Sequence, residues 1–295
     1  MRLFTGSGVA LITPFDENNE INYSRLREIL EFHVINHTDA IIVTGTTGEG
    51  STLTDEEKIS LMEFTVEIIN NRIPVIAGTG SNNTKNAVEF SKRAERTGVN
   101  GLLVVTPYYN KGNENGIYEH YKAIAEAVKI PIILYNVPSR TGVNLSISLL
   151  KKLAQIENIT ALKEASGNIS YVAEVAREVP ELDIYSGNDD IVVPVLSLGG
   201  KGVISVSANI IPDINHEMVV SFLNGDIEKA RELQLKYNDL VNALFLETNP
   251  VPIKETMNFL GYEVGNCRLP LGMMEESNRA KLKDILIAHE VTGWK

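Results

Sequence analysis

Short apolar runs recur along the chain at residues 8–15, 40–44, 74–77, 101–106, 131–135, 158–163, 182–186 and 202–205. They are rich in β-branched residues and apolar on both faces, the pattern of strands covered by helices on a parallel sheet. Between them lie stretches with helical periodicity. Thr54-Asp55-Glu56-Glu57 opens one, with a capping threonine and acidic residues in the first turn. Asn83-Thr84 opens another that ends near Gly98, and 115–128, 146–153, 168–179 and 189–198 follow the same pattern. Strand and helix alternate with a spacing of roughly 25–30 residues, as repeated βα units do. Eight such units predict an α/β fold, a closed (β/α)8 TIM barrel. An open doubly wound sheet is the alternative. No GxGxxG fingerprint opens the first unit, and Gly78-Thr79-Gly80-Ser81-Asn82-Asn83 lacks the last glycine of that pattern.

After Asn224-Gly225 the strands stop. Residues 226–246 predict one long amphipathic helix, 252–260 a shorter one closed by Gly261, and 275–289 a third. The expected division is therefore a catalytic barrel over 1–225 and a C-terminal helical extension over 226–295.

A chain of 295 residues, 43% hydrophobic and 22% charged, is long enough for a core of that size. It contains no apolar run able to span a bilayer and no signal-peptide pattern. The single cysteine, Cys267, excludes an internal disulfide and suits a reducing compartment, so a cytoplasmic setting is expected. The net charge of −11, with no basic cluster, argues against nucleic acid and membrane as partners. His33 and His37 stand four apart on an expected helix, but no third ligand accompanies them, so no metal site and no cofactor are expected. Leu198-Gly199-Gly200-Lys201-Gly202 precedes the last strand, where a plain turn is expected rather than a phosphate loop.

In a (β/α)8 barrel the active site lies at the C-terminal ends of the strands. The sixth run ends in Lys163. A lysine there either pairs with a charge, such as Glu164 or a carboxylate elsewhere, or loses its proton and becomes an amine nucleophile for a carbonyl. Alternation places Tyr135 on one face with Ile133, and Lys163 on one face with Ala161 and Ile159. If both faces point inward, phenol and amine meet at the barrel mouth, where a hydroxyl can relay protons. Tyr135 is otherwise an aromatic filler of the barrel. Thr46 and Thr47 occupy a glycine-flanked turn that lets backbone approach a ligand. Tyr108 and Tyr109 are adjacent and point opposite ways. Arg140, in a stiff loop after Pro138, is either a bidentate carboxylate clamp or a solvated surface arginine.

Four strand-end segments carry a family resemblance. Gly45-Thr46-Thr47-Gly48-Glu49, Pro107-Tyr108-Tyr109-Asn110, Tyr135-Asn136-Val137-Pro138-Ser139-Arg140-Thr141-Gly142 and Lys163-Glu164-Ala165-Ser166-Gly167 resemble the motifs of the 4-hydroxy-tetrahydrodipicolinate synthase (dihydrodipicolinate synthase) family. The likeness runs from Gly8-Val9-Ala10-Leu11 to Asn249-Pro250-Val251-Pro252-Ile253-Lys254. It implies a lyase that joins pyruvate to L-aspartate 4-semialdehyde through a lysine Schiff base, a step of diaminopimelate and lysine biosynthesis. The resemblance makes Lys163 the imine-forming residue and Tyr135 the proton-relay acid/base. Thr46 would link Tyr135 to Tyr109 of a partner subunit, Thr47 would hold the pyruvate carboxylate, and Arg140 would bind the semialdehyde. Gly187 and Ile204 would line the pocket. It further implies a homo-oligomer, usually a dimer of dimers.

N-acetylneuraminate lyase and the keto-sugar-acid aldolases are the nearest rivals, and Thr46-Thr47 with Arg140 look more like the synthase. A non-catalytic ligand-binding barrel and a phosphosugar isomerase are further alternatives. They are opposed by the intact relay residues and the missing phosphate loop respectively. In lysine-inhibited members of the family, histidines and a glutamate form the effector pocket. Asp55, Lys58 and Asn86 stand at the matching positions here, beside Asn82 and Tyr108, so weak or absent feedback by L-lysine is expected.

Overall fold

Eight parallel strands close in sequence order into a barrel in the computed structural model, which describes residues 2–291. They are β1 (Gly6–Ala10), β2 (Ala40–Val43), β3 (Val75–Gly78), β4 (Gly101–Val105), β5 (Ile132–Asn136), β6 (Ile159–Glu164), β7 (Asp183–Ser186) and β8 (Gly202–Ser205). Every predicted strand is present, and the open-sheet alternative is excluded because β8 returns to pair with β1. Residues 292–295 of the expected C-terminal extension lie outside the described residues.

The two-faced apolar runs fill two separate cores. Ile42, Ile76, Leu103, Ile133, Ala161, Tyr185 and Ile204 pack together inside the barrel. Their neighbours Ile41, Val43, Val75, Leu102, Val104, Ile132, Leu134 and Leu162 pack outward against the helices. A strand with one polar face could not serve both layers. The inner core is closed at the bottom by Phe4 stacked on Tyr185, ring centroids 4.4 Å apart. The buried Tyr185 hydroxyl donates to the Phe4 carbonyl at 2.6 Å, so the plug leaves that hydroxyl satisfied.

Helix starts follow their capping residues. Thr54 accepts from Glu57 N, and the Glu57 carboxylate accepts from Thr54 N, forming a reciprocal capping box on the helix Asp55–Ile69. Asn83, Ser146 and Asn168 cap the helices Thr84–Arg96, Ile147–Leu153 and Ile169–Glu178 in the expected places.

Four expectations change. The first strand ends at Ala10: Leu11 N still donates to Ile42 O at 2.9 Å, but Phe15 N donates to Val264 O at 2.9 Å, outside the barrel. The single long helix expected over 226–246 is two helices, Ile227–Lys236 and Asn238–Ala243, broken at Tyr237 with φ −101° and ψ 7°. His37 is not on the helix with His33: that helix is Tyr23–Ile35, and His37 follows it in a left-handed conformation, φ 61°. Finally, Ile159 does not share a face with Lys163. The β5/β6 register shifts between Ile132 and Ile133, so Ile159 joins the outer core while Ala161 stays inside.

No described helix is long and apolar enough to cross a membrane. Among the described residues, no three His, Cys, Asp or Glu side chains converge as metal ligands.

Closure depends on a close approach of β8 to β1. A Cβ built on Gly202 would lie 1.8 Å from the Gly6 carbonyl oxygen. Gly202→Ala should therefore part the two strands and lower the unfolding free energy by about 3 kcal/mol or more. Urea denaturation checks this, and wild-type stability in the variant would contradict it.

Candidate active site

β5 and β6 set the centre of the site. Tyr135 and Lys163 are direct register partners at the C-terminal ends of their strands, and both are buried. The Lys163 Nζ sits 4.4 Å from the Tyr135 ring centroid. The salt-bridge alternative for Lys163 fails: among the described residues no carboxylate lies within ion-pair distance of its Nζ. Glu164, the neighbouring candidate, points elsewhere and accepts from Asn136 Nδ2 at 2.7 Å and Ser166 N at 2.5 Å. Burial pushes the Glu164 carboxyl above the usual carboxylate range, against the pull of those hydrogen bonds.

Because strands alternate, the pair Tyr135–Lys163 faces in while the next register pair, Asn136–Glu164, faces out. Asn136 also donates to Asn144 Oδ1 at 2.7 Å and accepts from Leu145 N at 3.1 Å. A hydrogen-bonded layer thus pins the two strand ends just behind the phenol and the amine.

Gly187 follows β7 and donates its N–H to Glu164 O at 2.7 Å. A Cβ there would stand 3.1 Å from Lys163 Cε and 2.6 Å from Ala165 Cβ, so a glycine is needed for the lysine to lie as it does. Ile204, on β8, is fully buried in the inner core.

Thr46 and Thr47 ride on a tight loop after β2. Glu49 N donates to Thr46 O and Gly50 N to Gly45 O, each at 3.1 Å, and Glu49 adopts a left-handed φ of 55°. Thr47 is buried, and its Oγ1 accepts from Asn249 Nδ2 at 3.0 Å. Arg140 stands on a single helical turn, Pro138–Thr141, rather than in an irregular loop. Its guanidinium donates to the carbonyl of the same Asn249 at 3.0 Å. One residue from beyond the barrel strands therefore holds both candidate carboxylate-binding side chains.

Thr46, Tyr135 and Arg140 line one cavity of about 400 Å³. It extends outward past Ser51, Asp55, Lys58, Asn86, Phe90 and Tyr108. Lys163, Thr47, Gly187 and Ile204 do not line it; Lys163 adjoins it through the Tyr135 ring. Tyr109 is not brought into the site of its own chain. It is 88% exposed in a left-handed conformation, φ 73°, while its neighbour Tyr108 lines the cavity wall.

Sequence reasoning places Asp189 at the end of the seventh strand and Asn249 in a matched motif, but gives neither a role. Asn249 lies inside a matched motif but far from any strand end, so only the contacts of its carboxamide with Thr47 and of its backbone carbonyl with Arg140 show its part. Asp189 is fully buried after β7, and one of its oxygens accepts from both Val206 N and Ser207 N at 2.9 Å. That contact ties the turn after β7 to the turn after β8. Burial pushes its carboxyl up, opposed by those N–H groups and by the charge of Lys163.

A buried amine and phenol at the mouth of a closed parallel barrel, with Thr46 and Arg140 lining the adjoining cavity, define a (β/α)8 enzyme. The family follows from comparison with known proteins: the chain belongs to the dihydrodipicolinate synthetase family, whose model matches residues 3–289. It is 56% identical over 286 residues to the 4-hydroxy-tetrahydrodipicolinate synthase of Brachyspira hyodysenteriae, covering 97% of this chain and 98% of that one. Its structure matches dihydrodipicolinate synthase from Aquifex aeolicus with a TM-score of 0.96 at 45% identity, covering 99% of this chain and all (100%) of that one. It also matches the chloride-inhibited dihydrodipicolinate synthase from Acinetobacter baumannii complexed with pyruvate, with a TM-score of 0.95 at 40% identity, covering 97% and 99% of the two chains.

Asp189 yields a stability prediction with a definite sign. Its native carboxyl lies above its unfolded value, so its contribution is fully present below the ordinary carboxylate range and is lost as pH rises through the native value. Asp189→Asn keeps an acceptor for both N–H groups and carries no charge. It should remain within about 1 kcal/mol of wild type at neutral pH and lack that decline. Asp189→Ala leaves both donors bare and should cost about 3 kcal/mol. Urea denaturation across pH separates the two; equal losses in both variants would contradict the assignment.

Proposed function

We propose that the chain is a lyase, a 4-hydroxy-tetrahydrodipicolinate synthase, that condenses pyruvate with L-aspartate 4-semialdehyde on Lys163. The observation that carries the site assignment is the register pair Tyr135–Lys163, which sets against a phenol ring an amine that, among the described residues, has no carboxylate within ion-pair distance.

The unprotonated Nζ of Lys163 attacks the C2 carbonyl of pyruvate, and loss of water leaves an imine. Removal of a methyl proton gives the enamine, whose C3 attacks the aldehyde carbon of the semialdehyde and leaves a hydroxyl there. The substrate's own amino group then displaces Lys163 from the imine carbon, closing the ring and restoring the free lysine. The net balance is one water released, as in the first dehydration. Tyr135 carries protons to and from the carbinolamine and the new hydroxyl, and Thr46 connects it onward. Thr47 binds the pyruvate carboxylate, and Arg140 grips the carboxylate of the semialdehyde. Gly187 and Ile204 bound the space around Lys163.

Tyr109 completes the relay from a second subunit. Its exposed position on this chain is what such a donated residue requires, so the working unit is at least a dimer, within a dimer of dimers. A cytoplasmic setting accords with the one buried free cysteine, Cys267. The lyase and aldolase rivals are disfavoured by Arg140, which lines the same cavity as Tyr135.

Two experiments test this reading. Treatment with pyruvate and sodium borohydride should add one reduced pyruvyl group, and peptide mapping should place it on Lys163. Tyr135→Phe should lower kcat by about 100-fold. A folded wild-type protein that takes up no adduct would sink the proposal.

The outer cavity also bears on feedback. Lys58 pairs with Asp55 at 3.3 Å and lies 5.1 Å from the Phe90 ring centroid, so this wall already holds a cation. A second cation there is disfavoured. L-lysine at about 1 mM should inhibit partially at most; complete inhibition in a steady-state titration would refute this.

A further inference from the structure

The loop that carries Thr46 and Thr47 is anchored by a charge pair the reaction does not use. Lys254, in the helix Val251–Phe259, and Glu49, in the loop after β2, are 205 residues apart in sequence. Their side chains are only 2% and 0% exposed. Lys254 Nζ donates to Glu49 Oε1 at 2.8 Å, Asn266 O at 2.9 Å and Thr13 O at 3.1 Å, which satisfies all three of its N–H bonds. The second Glu49 oxygen accepts from Arg268 N at 2.8 Å. Beneath the pair lies the Phe15 ring, 4.2 Å from Lys254 Nζ and 4.4 Å from the Arg268 guanidinium carbon.

Stability is a weak explanation for this arrangement. Two charges this deep lose their hydration, and apolar residues of the same volume commonly serve a core as well or better. A satisfied ion pair does something apolar packing does not: it fixes two atoms at one distance and orientation. Here it fixes Glu49, two residues beyond Thr47 and hydrogen-bonded through its own N–H to Thr46 O. Thr13 grips the same loop from the β1 side, its hydroxyl donating to Gly48 O at 2.7 Å. Asn249, five residues before Lys254, holds the Thr47 hydroxyl. The loop is thus held at three consecutive residues, with two of the three grips coming from the segment after the barrel.

We propose that the Lys254–Glu49 pair is a positioning device that sets Thr46 and Thr47 against the Tyr135–Lys163 centre, making the C-terminal region part of the active-site construction. The inference rests on the roles given above to Thr46 and Thr47. Misplacing a binding group by about 1 Å costs on the order of 100-fold in rate.

Three variants test the role. Lys254→Met leaves a bare carboxylate in the core and can simply unfold, so Glu49→Gln and the double variant Glu49→Gln/Lys254→Met carry the decision. Both keep an acceptor for Arg268 N, and the double variant has no unpaired charge. The expected result is a double variant whose urea midpoint is near that of wild type and whose Lys163 is still labelled by pyruvate and borohydride. Its kcat should fall about tenfold or more and its KM for pyruvate rise about threefold or more. KM for the semialdehyde should stay within about twofold, because the Arg140–Asn249 contact is untouched. Glu49→Gln alone should show the same split in smaller measure. A folded double or single variant with wild-type kcat and pyruvate KM overturns the proposal, as does a loss of stability with full activity per folded molecule. Failure of the wild-type protein to be labelled at Lys163 rejects the Schiff-base reading itself, a result distinct from either.

Discussion

Closure of eight parallel strands into one ring is the constraint from which the site follows. A closed sheet has no edge, so each strand end meets two neighbours at a fixed register. Every strand must also fill the interior with one set of side chains and bind the helices with the other. Ile133 and Ala161 fill the middle of the barrel; one pleat further up, the same inward face offers Tyr135 and Lys163. The outward face at the same level offers Asn136 and Glu164, joined by a hydrogen bond at 2.7 Å. Reactive and bracing pairs are consecutive residues of the same two strands.

The register shift in β6 shows how finely this is set. A one-residue slip in a strand exchanges its faces. With Thr160 absorbed as an irregularity, Ile159 serves the outer core below the shift and Ala161 and Lys163 the interior above it. Without that shift, the two strands would not present amine and phenol side by side while still burying Ile159.

The loops at the mouth are held by groups remote in sequence. Asn249 reaches Thr47 and Arg140, Arg268 and Lys254 reach Glu49, and Asp189 ties the β7 turn to the β8 turn. Backbone in tight, glycine-rich turns has few partners of its own, so a rigid mouth needs acceptors and donors from elsewhere. The buried charges at Glu49 and Lys254 are tolerable because every N–H and both oxygens are paired. Neither side chain faces the cavity.

The number of strands, their order and the candidate residues at their ends were legible along the chain. They depend on local signals: two-faced apolar runs, capping residues such as Thr54 and Asn83, and polar residues just past each run. Lys163, Tyr135, Thr46 and Arg140 stood out for that reason. The end of β1 and the break at Tyr237 were not legible, since both depend on tertiary partners rather than on periodicity. The face of Ile159 was misjudged because a register shift leaves no mark in composition. Asn249 and Lys254 carry no local signal either; their importance exists only where chain segments some 200 residues apart meet. The eight-unit barrel and the side chains at its mouth are written along the chain, because alternation and capping are short-range physics. The 4.4 Å approach of amine to ring and the three-sided grip on the threonine loop arise only once the barrel has closed, because distances between distant segments are set by packing.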